Sequence, residues 1–317
     1  MEDYLFSRNL NARYSYIGSK GSVTSDFNYR KVEDKLDLNV GQDEVINGRI
    51  NWTQNFADRN IRSNFSYSTG NSRELRREFV YLPVPTGEGT HTWRDTNEDG
   101  VQDLNEFFEA INPDERNFVK IFTPTDEYIT SFQTFYLHTI DARFPASWRG
   151  QGGFRQIASK FSVNLNFNVN FKTTSEGYED RLNPFGLRLS DEDLISTQNV
   201  KRYTLFFNRN GRGFAGDFTY QTSDNKQLLV QGFETRDKFE WISNAKVDLS
   251  PEYTFRVTTS LGNQLNQSDF LDSRNFEIVT YTYQPQLIWQ PSNVLRLIGS
   301  YERKNRSNVL TEASNES

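Results

Sequence analysis

The sequence predicts an all-β chain, an antiparallel transmembrane β-barrel of roughly 12–14 strands, part of a larger barrel. Three observations predict it. The segment Phe161-Ser-Val163-Asn-Leu165-Asn-Phe167-Asn-Val169-Asn-Phe171 places an apolar residue at every odd position and Ser or Asn at every even one. Side chains of a strand alternate faces, so one face of this segment is wholly apolar and the other wholly polar. Its reach matches the roughly 9–11 residues of a tilted membrane-crossing strand. Composition is the second observation. Only 35% of the 317 residues are hydrophobic, yet there are 26 Phe, 15 Tyr and 5 Trp. That apolar fraction is low for a domain with a buried core, and the aromatic content is high for a disordered chain. The third is an alternation of short turns with long polar connections, as in barrels with short turns on one side and long loops on the other.

The strands follow in chain order. Near the N-terminus, Tyr14-Ser-Tyr16, Leu36-Asp-Leu38-Asn-Val40 and Ile50-Asn-Trp52 carry the alternation. It continues through Ile61 to Tyr67, the even positions of Phe132 to Phe144, the 161–171 segment and Tyr203 to Phe207. Beyond them come Phe239 to Leu249, Tyr253 to Leu261, Val279 to Trp289 and a last strand over about Val294 to Lys304. No stretch of comparable length carries helical periodicity.

The connections assign sidedness. Ser250-Pro251-Glu252 and Gln290-Pro291-Ser292-Asn293 are tight turns, because Pro fixes φ and Ser and Asn bond their own backbone. Flanking aromatics such as Tyr253 and Trp289 fit an interfacial girdle. With Pro251 on the periplasmic side, Phe56 to Asn60, Phe144 to Gln156 and Asn210 to Gly213 fall on that side too. Tyr81 to Glu127, Thr173 to Asn199, Ser223 to Glu234 and Gly262 to Asn275 then become external loops. The expected organisation is one barrel domain, with strands in 1–80 and 128–317 around an external loop at 81–127. The N-terminus has neither a basic nor an apolar signal region, and the last strand ends on the outer side, so both ends are expected to be cut.

One motif is sharp. Asp95-Thr-Asn97-Glu-Asp99-Gly100-Val101-Gln-Asp103-Leu-Asn-Glu106 matches the calcium-loop pattern D-x-[DN]-x-[DN]-G-x5-E. Calcium takes about 6–8 oxygens from positions 1, 3, 5, 7, 9 and 12 of such a loop. Those positions are Asp95, Asn97, Asp99, the Val101 carbonyl, Asp103 and Glu106. The loop resembles that of EF-hands and the shorter calcium loops of dockerin and thrombospondin type 3 repeats. Pro83, Pro85 and the glycines before it exclude an entering helix, while Asp103 to Ala110 is expected to form a short exiting one. The expected role is to pin a long external loop.

Other chemistry finds little support. Zero Cys excludes disulfides and thiolate sites. His138 is expected to be a packed or lumen residue, and His91 precedes the calcium loop without a second ligand of its kind. The acidic runs Glu176 to Asp180 and Asp191-Glu192-Asp193 read as solvated loop. With no nucleotide or nucleophile motif, the chain is not expected to be an enzyme. A net charge of -6, and a basic cluster of only Arg73, Arg76 and Arg77 beside Glu74 and Glu78, argue against nucleic acid as a partner.

The phrases Trp93-Arg-Asp-Thr-Asn-Glu-Asp-Gly-Val-Gln-Asp-Leu-Asn-Glu-Phe107 and Leu287-Ile-Trp-Gln-Pro-Ser-Asn293 complete a chain that resembles the large outer-membrane β-barrel proteins of Bacteroidetes-type bacteria. The resemblance implies a bacterial outer membrane as location, with lipid and other envelope proteins as partners. It implies passage of a solute or polypeptide, or surface display, and names no substrate. The alternative expectation is a soluble secreted β-protein that binds calcium and a carbohydrate or protein partner.

Overall fold

In the computed structural model, residues 5–34, 43–183, 193–209, 211–229, 232–269 and 274–310 are described. The chain is all-β. Its first long strands are β1 (Leu5–Gly18), β2 (Gly21–Asp34), β3 (Asp43–Phe56) and β4 (Ile61–Pro83). A small hairpin of β5 (His91–Trp93) and β6 (Phe107–Glu109) precedes β7 (Phe118–Arg143). Then come β8 (Phe161–Thr173), β9 (Leu194–Phe207), β10 (Phe214–Leu229) and β11 (Gly232–Asp248). The last are β12 (Tyr253–Ser268), β13 (Phe276–Trp289), β14 (Leu297–Ser300) and β15 (Arg303–Asn308). Apart from the hairpin, neighbours in sequence are neighbours in one antiparallel sheet, and β14 and β15 pair consecutively with β13 as one interrupted strand.

The register gives the sheet two unlike faces. Across β3, β4, β7 and β8, Trp52 pairs with Phe65, Phe65 with His138, and His138 with Phe167. Further along, Leu205 pairs with Phe218, Tyr220 with Trp241, Trp241 with Leu261, and Leu261 with Tyr281. Partners in register share a face, so one apolar surface runs from β1 to β14. The opposite face carries Asn51 against Ser66, Thr139 against Asn166, and Asn244 against Thr258. These polar residues bond one another across the strands: Asn166 Nδ2 to Thr139 Oγ1 at 2.9 Å, Thr258 Oγ1 to Asn244 Oδ1 at 2.7 Å.

Exposure shows which face is wrapped inside. On β9 and β10, Leu205 and Phe218 of the apolar face are 44% and 46% exposed, while Thr204 and Thr219 of the polar face are 6% and 2%. The buried pair bonds hydroxyl to hydroxyl at 2.9 Å. β7 also reaches β11, four strands away along the sheet. A flat sheet would hold them about 19 Å apart. The sheet therefore curls, with its polar face concave and its apolar face outward.

No pairing among the described residues joins β1 to β14 or β15. Closure needs that pairing, so these strands form an open curled sheet, where a part of a larger barrel was expected. Several expected boundaries are corrected. The strands also outrun a membrane crossing: β4 has 23 residues and β7 has 26. At about 3.3 Å per residue they extend some 80 Å, and the expected 81–127 loop shrinks to residues 84–117. In the same way β10 and β11 fill most of the expected 223–234 loop, and β12 fills 262–268. Segments wet on both faces lose the alternation that marks a half-buried strand, yet keep their ladders. The Thr173–Asn199 loop narrows to 174–193, and the last strand begins at Leu297 instead of Val294. The Leu36 to Val40 segment lies outside the described residues.

The turn end keeps the expected sidedness, with connections at 19–20, 57–60, 144–160, 208–213, 249–252 and 290–296 all at one end. The 144–160 connection holds a 3-10 turn over Ala146–Gly150 and a short helix α1 (Phe154–Ala158). Aromatic pairs ring this end on the outer face: Phe144 stacks on Trp148 at 5.3 Å, Phe161 meets Phe207 at 5.1 Å, and Tyr253 stacks on Trp289 at 6.1 Å. At the opposite end a second helix, α2 (Tyr178–Leu182), lies against β7. The Arg181 guanidinium sits 3.4 Å from the centroid of Phe132, and Tyr67 donates to the Leu182 carbonyl at 2.9 Å.

Candidate functional site

The calcium-like loop is the connection of the β5–β6 hairpin, which stands on the projecting ends of β4 and β7. Aromatic packing seats it. Tyr81 of β4 stacks on Phe107 at 4.0 Å, and Phe107 meets Phe118 of β7 edge-on at 5.0 Å. Backbone bonds fasten the same junction: Thr90 N–H donates to the Phe118 carbonyl at 2.8 Å, and Ala110 N–H to the Thr90 carbonyl at 3.0 Å. Gly89 allows the approach, since a Cβ there would lie 2.7 Å from both the N and the O of Phe118. His91 is buried beside Tyr81, and that burial pushes its imidazole below the usual value. Its Nδ1 lies 2.8 Å from the Thr90 hydroxyl.

Glu106 holds the loop closed. Its side chain is buried, at 1% exposure. Oε2 accepts from Trp93 Nε1 at 3.0 Å, and Oε1 accepts from the Thr96 N–H and hydroxyl, each at 3.0 Å. Burial alone would raise the pKa of this carboxyl; the bonds from Trp93, Thr96 and Asp103 outweigh it and hold the group below the ordinary carboxylate range. The expected exiting helix is replaced by a 3-10 turn over Leu104–Glu106 followed by β6. Pairing of His91 to Trp93 with Phe107 to Glu109 claims the backbone that a helix would need.

The other candidate ligands gather on the outer rim of the loop. Asp95 Oδ2 accepts from Gly100 N–H at 2.8 Å, Asn97 Oδ1 from Asp99 N–H at 3.0 Å, and Asp99 Oδ1 from Val101 N–H at 2.7 Å. Gly100 has φ +74, a left-handed conformation that side chains rarely adopt, so glycine is required at the turn. The Asn97 amide points its Nδ2 at Asp99 Oδ2, 3.0 Å away, and at Asp103 Oδ2, 3.5 Å away. Asp95 Oδ1 is buried with no hydrogen-bond donor. The Val101 carbonyl accepts from Asp103 N–H at 3.1 Å. So Asp95, Asn97, Asp99, Val101 and Asp103 are brought together, while Glu106 turns toward Trp93 and Thr96. Among the described residues no three His, Asp or Glu side chains converge as a ready metal cage. Asp95, Asn97, Asp99 and Asp103 fit a calcium ion by donor chemistry, since they are hard oxygen ligands with one orphaned carboxylate oxygen. Glu106 does not fit a bidentate role while both its oxygens are engaged.

His138 lies on the apolar face of β7, not in a lumen. Its Nε2 is 2.9 Å from the Ser63 hydroxyl and its Nδ1 is 3.2 Å from the Tyr136 hydroxyl. The three satisfy each other within an outward apolar surface, and Phe65 meets the imidazole edge-on at 6.1 Å. Of the acidic runs, Asp180 accepts from the Ser175 hydroxyl at 2.7 Å at the start of α2, and Asp191 and Glu192 lie outside the described residues.

A feature without a sequence motif lies at the turn end of the concave face. A cavity of about 920 Å³ is lined by Arg59, Arg62, Arg143, Arg149, Lys160 and Arg209, with Asp141 as the one carboxylate among the described residues. These residues come from the β3–β4 turn, β4, β7, the 144–160 connection and the 208–213 turn. Spaced singly along the chain, they form no basic run that sequence reading could find.

No protein-family model and no curated protein matches this sequence.

Proposed function

We propose that the chain is a section of a bacterial outer-membrane β-barrel serving passage of a solute or polypeptide, or surface display, with an external loop that calcium orders. The carrying observation is the apolar face, exposed at Trp52, Leu205, Phe218, Trp241 and Tyr281 though buried at Phe132, Val169 and Phe171, and backed by a concave face of Asn, Ser, Thr and charged residues. Water leaves such a face unsatisfied, whereas lipid matches it, and all backbone groups inside the sheet are bonded between strands. The aromatic pairs at the turn end fit an interfacial girdle. The strand ends beyond it fit an extramembrane stalk carrying the β5–β6 hairpin. The resemblance to Bacteroidetes-type barrels supports the same compartment.

For calcium, the support is the fit of Asp95, Asn97, Asp99 and Asp103 and the unbonded Asp95 oxygen. The ion would draw the Asn97 carbonyl oxygen inward and balance the charge of Asp95, Asp99 and Asp103. Glu106 would stay as the hydrogen-bonded anchor of the loop, so binding is expected in the weak range of extracellular modules, about 10⁻⁴–10⁻³ M.

The two parts have separate tests. Refolded chain should enter lipid vesicles and be protected from protease over its lower strands; a chain that stays monomeric in buffer without detergent would sink the membrane reading and favour the secreted one. Calcium should slow cleavage within 84–117, and an Asp95→Ala/Asp99→Ala variant should lose that slowing. Equal cleavage with calcium and with chelator would remove calcium from the account and leave the barrel untouched.

A further inference from the structure

The charge balance of the chain is reversed at one place. The sequence carries a net charge of -6, yet among the described residues the 920 Å³ cavity at the turn end has six cations against one carboxylate. Asp141 is partly committed, accepting from Asn164 Nδ2 at 2.8 Å. Elsewhere several basic residues have acidic partners: Arg76 with Glu127 at 3.1 Å, Lys246 with Asp248 at 2.9 Å, Arg274 with Glu234 at 3.2 Å, and Lys172 with Glu74. Among the described residues, none of the six cavity cations is ion-paired.

What holds these cations is not neutralising. The Arg209 guanidinium lies 4.2 Å from the centroid of Phe206, on the concave face. Aromatic faces steady a cation without cancelling its charge. Arg59 is presented by a turn in which Ala57, Asp58 and Arg59 all have left-handed φ, at 49°, 53° and 65°. The polar neighbours are hydrogen-bonding groups such as Asn60, Ser159 and Ser162. A second cavity of about 410 Å³ shares Phe206 and Arg209 with the first and adds Lys246 and Arg256, with Asp217 as a carboxylate among them.

Like charges gathered in one concavity repel each other and draw in a counter-ion, most strongly a multivalent one. Arginine forks match the oxygens of phosphate two at a time. The cavity also falls within the roughly 300–1,000 Å³ of small-molecule sites. It opens on the polar, water-bearing face, so a dissolved ligand can reach it.

We propose that this cavity binds a phosphate-bearing polyanion, gripped by Arg143, Arg149 and Arg209 with Arg59, Arg62 and Lys160 completing the charge. The inference rests on the concave face alone and does not depend on lipid outside or on calcium above. The test titrates the full chain, in non-ionic detergent, with inorganic tripolyphosphate by calorimetry. The expected result is saturable binding that weakens as salt rises, reduced at least about tenfold by Arg143→Gln/Arg149→Gln/Arg209→Gln and unchanged by Arg13→Gln/Arg49→Gln. A measurement without substitutions reads the same contacts: tripolyphosphate should protect those three arginines from phenylglyoxal, followed by mass spectrometry. A second arm adds phosphatidylglycerol to the micelles. If that lipid binds through the same arginines and displaces tripolyphosphate, the phosphate belongs to a headgroup. If it does not compete, the ligand is a dissolved one. Absence of saturable binding by either anion, or equal binding by wild type and the triple arginine variant, would overturn the proposal.

Discussion

The hairpin end of the curled sheet and the cavity at its turn end handle charge in opposite ways. At the long-loop end, charges are settled internally: Glu106 is surrounded by donors, Arg76 pairs with Glu127, and Arg274 pairs with Glu234. At the turn end, cations from five chain segments face one cavity with no ion partner among the described residues. The same sheet connects them, so the difference lies in the connections. The projecting ends of β4 and β7 bring a hairpin back onto themselves and make a local, self-satisfied structure. The short turns bring together residues far apart in sequence and leave their charge for something else to balance.

Several perturbations would break or sharpen this contrast. The largest effect is expected from Glu106→Ala, which removes the acceptor of Trp93, Thr96 and Asp103 at once. Cleavage within 84–117 should rise about a hundredfold, the scale of leaving several buried donors unpaired, while the sheet below keeps its protease resistance. If the sheet unfolds with it, the long-loop end is not self-contained. Gly89→Ala comes next. Its Cβ would meet the Phe118 backbone at 2.7 Å, and about 1–3 kcal/mol of hairpin docking should be lost, the usual cost of overpacking; chemical denaturation read by Trp93 fluorescence measures it.

Acid gives a smaller, graded effect of known sign. His91 has a folded pKa below its unfolded value, so its neutral form stabilises the hairpin at higher pH. That stability fades as pH falls below about 6.5. Glu106 is also depressed when folded, so its contribution is present above the unfolded carboxylate value and is lost as pH falls through the lower folded one. Hydrogen exchange at 90–110 should therefore quicken in two acid steps, and Glu106→Gln should abolish the lower one only. Thr219→Val should cost about 1 kcal/mol by leaving the Thr204 hydroxyl without its partner. The least effect belongs to Arg13→Gln, since the Arg13–Asp26 pair is exposed and such pairs contribute about 0–1 kcal/mol.

How much of this was legible in the sequence follows from the physics of each signal. Period-two alternation reports a strand with one apolar face, so Phe161 to Phe171 and Tyr253 to Leu261 announced themselves. Arg73 to Tyr81 and Ser223 to Leu229 did not, because a strand wet on both faces has no reason to alternate. The sidedness of the turns survived because it depends only on counting strands. The Asp95–Glu106 spacing located the loop but misjudged Glu106, since the motif says nothing of Trp93 folding back to donate to it. A part of a larger barrel was expected from the pattern, but how the sheet would close depends on which strand lies beside β1, a question that alternation does not address. The basic cavity was invisible for a similar reason: each arginine stands alone in the sequence, and only the register assembles them.

The central claim is that the apolar face lies outward against lipid and the polar face inward against water. The chain has no native Cys, so single cysteines along β10 can carry spin labels without background. Labels at Phe218 and Tyr220 on one face, and at Asp217 and Gln221 on the other, should alternate in vesicles. The first pair should be relaxed by oxygen dissolved in the bilayer, and the second by a water-soluble nickel chelate. Uniform access of the nickel chelate to all four positions would contradict the account.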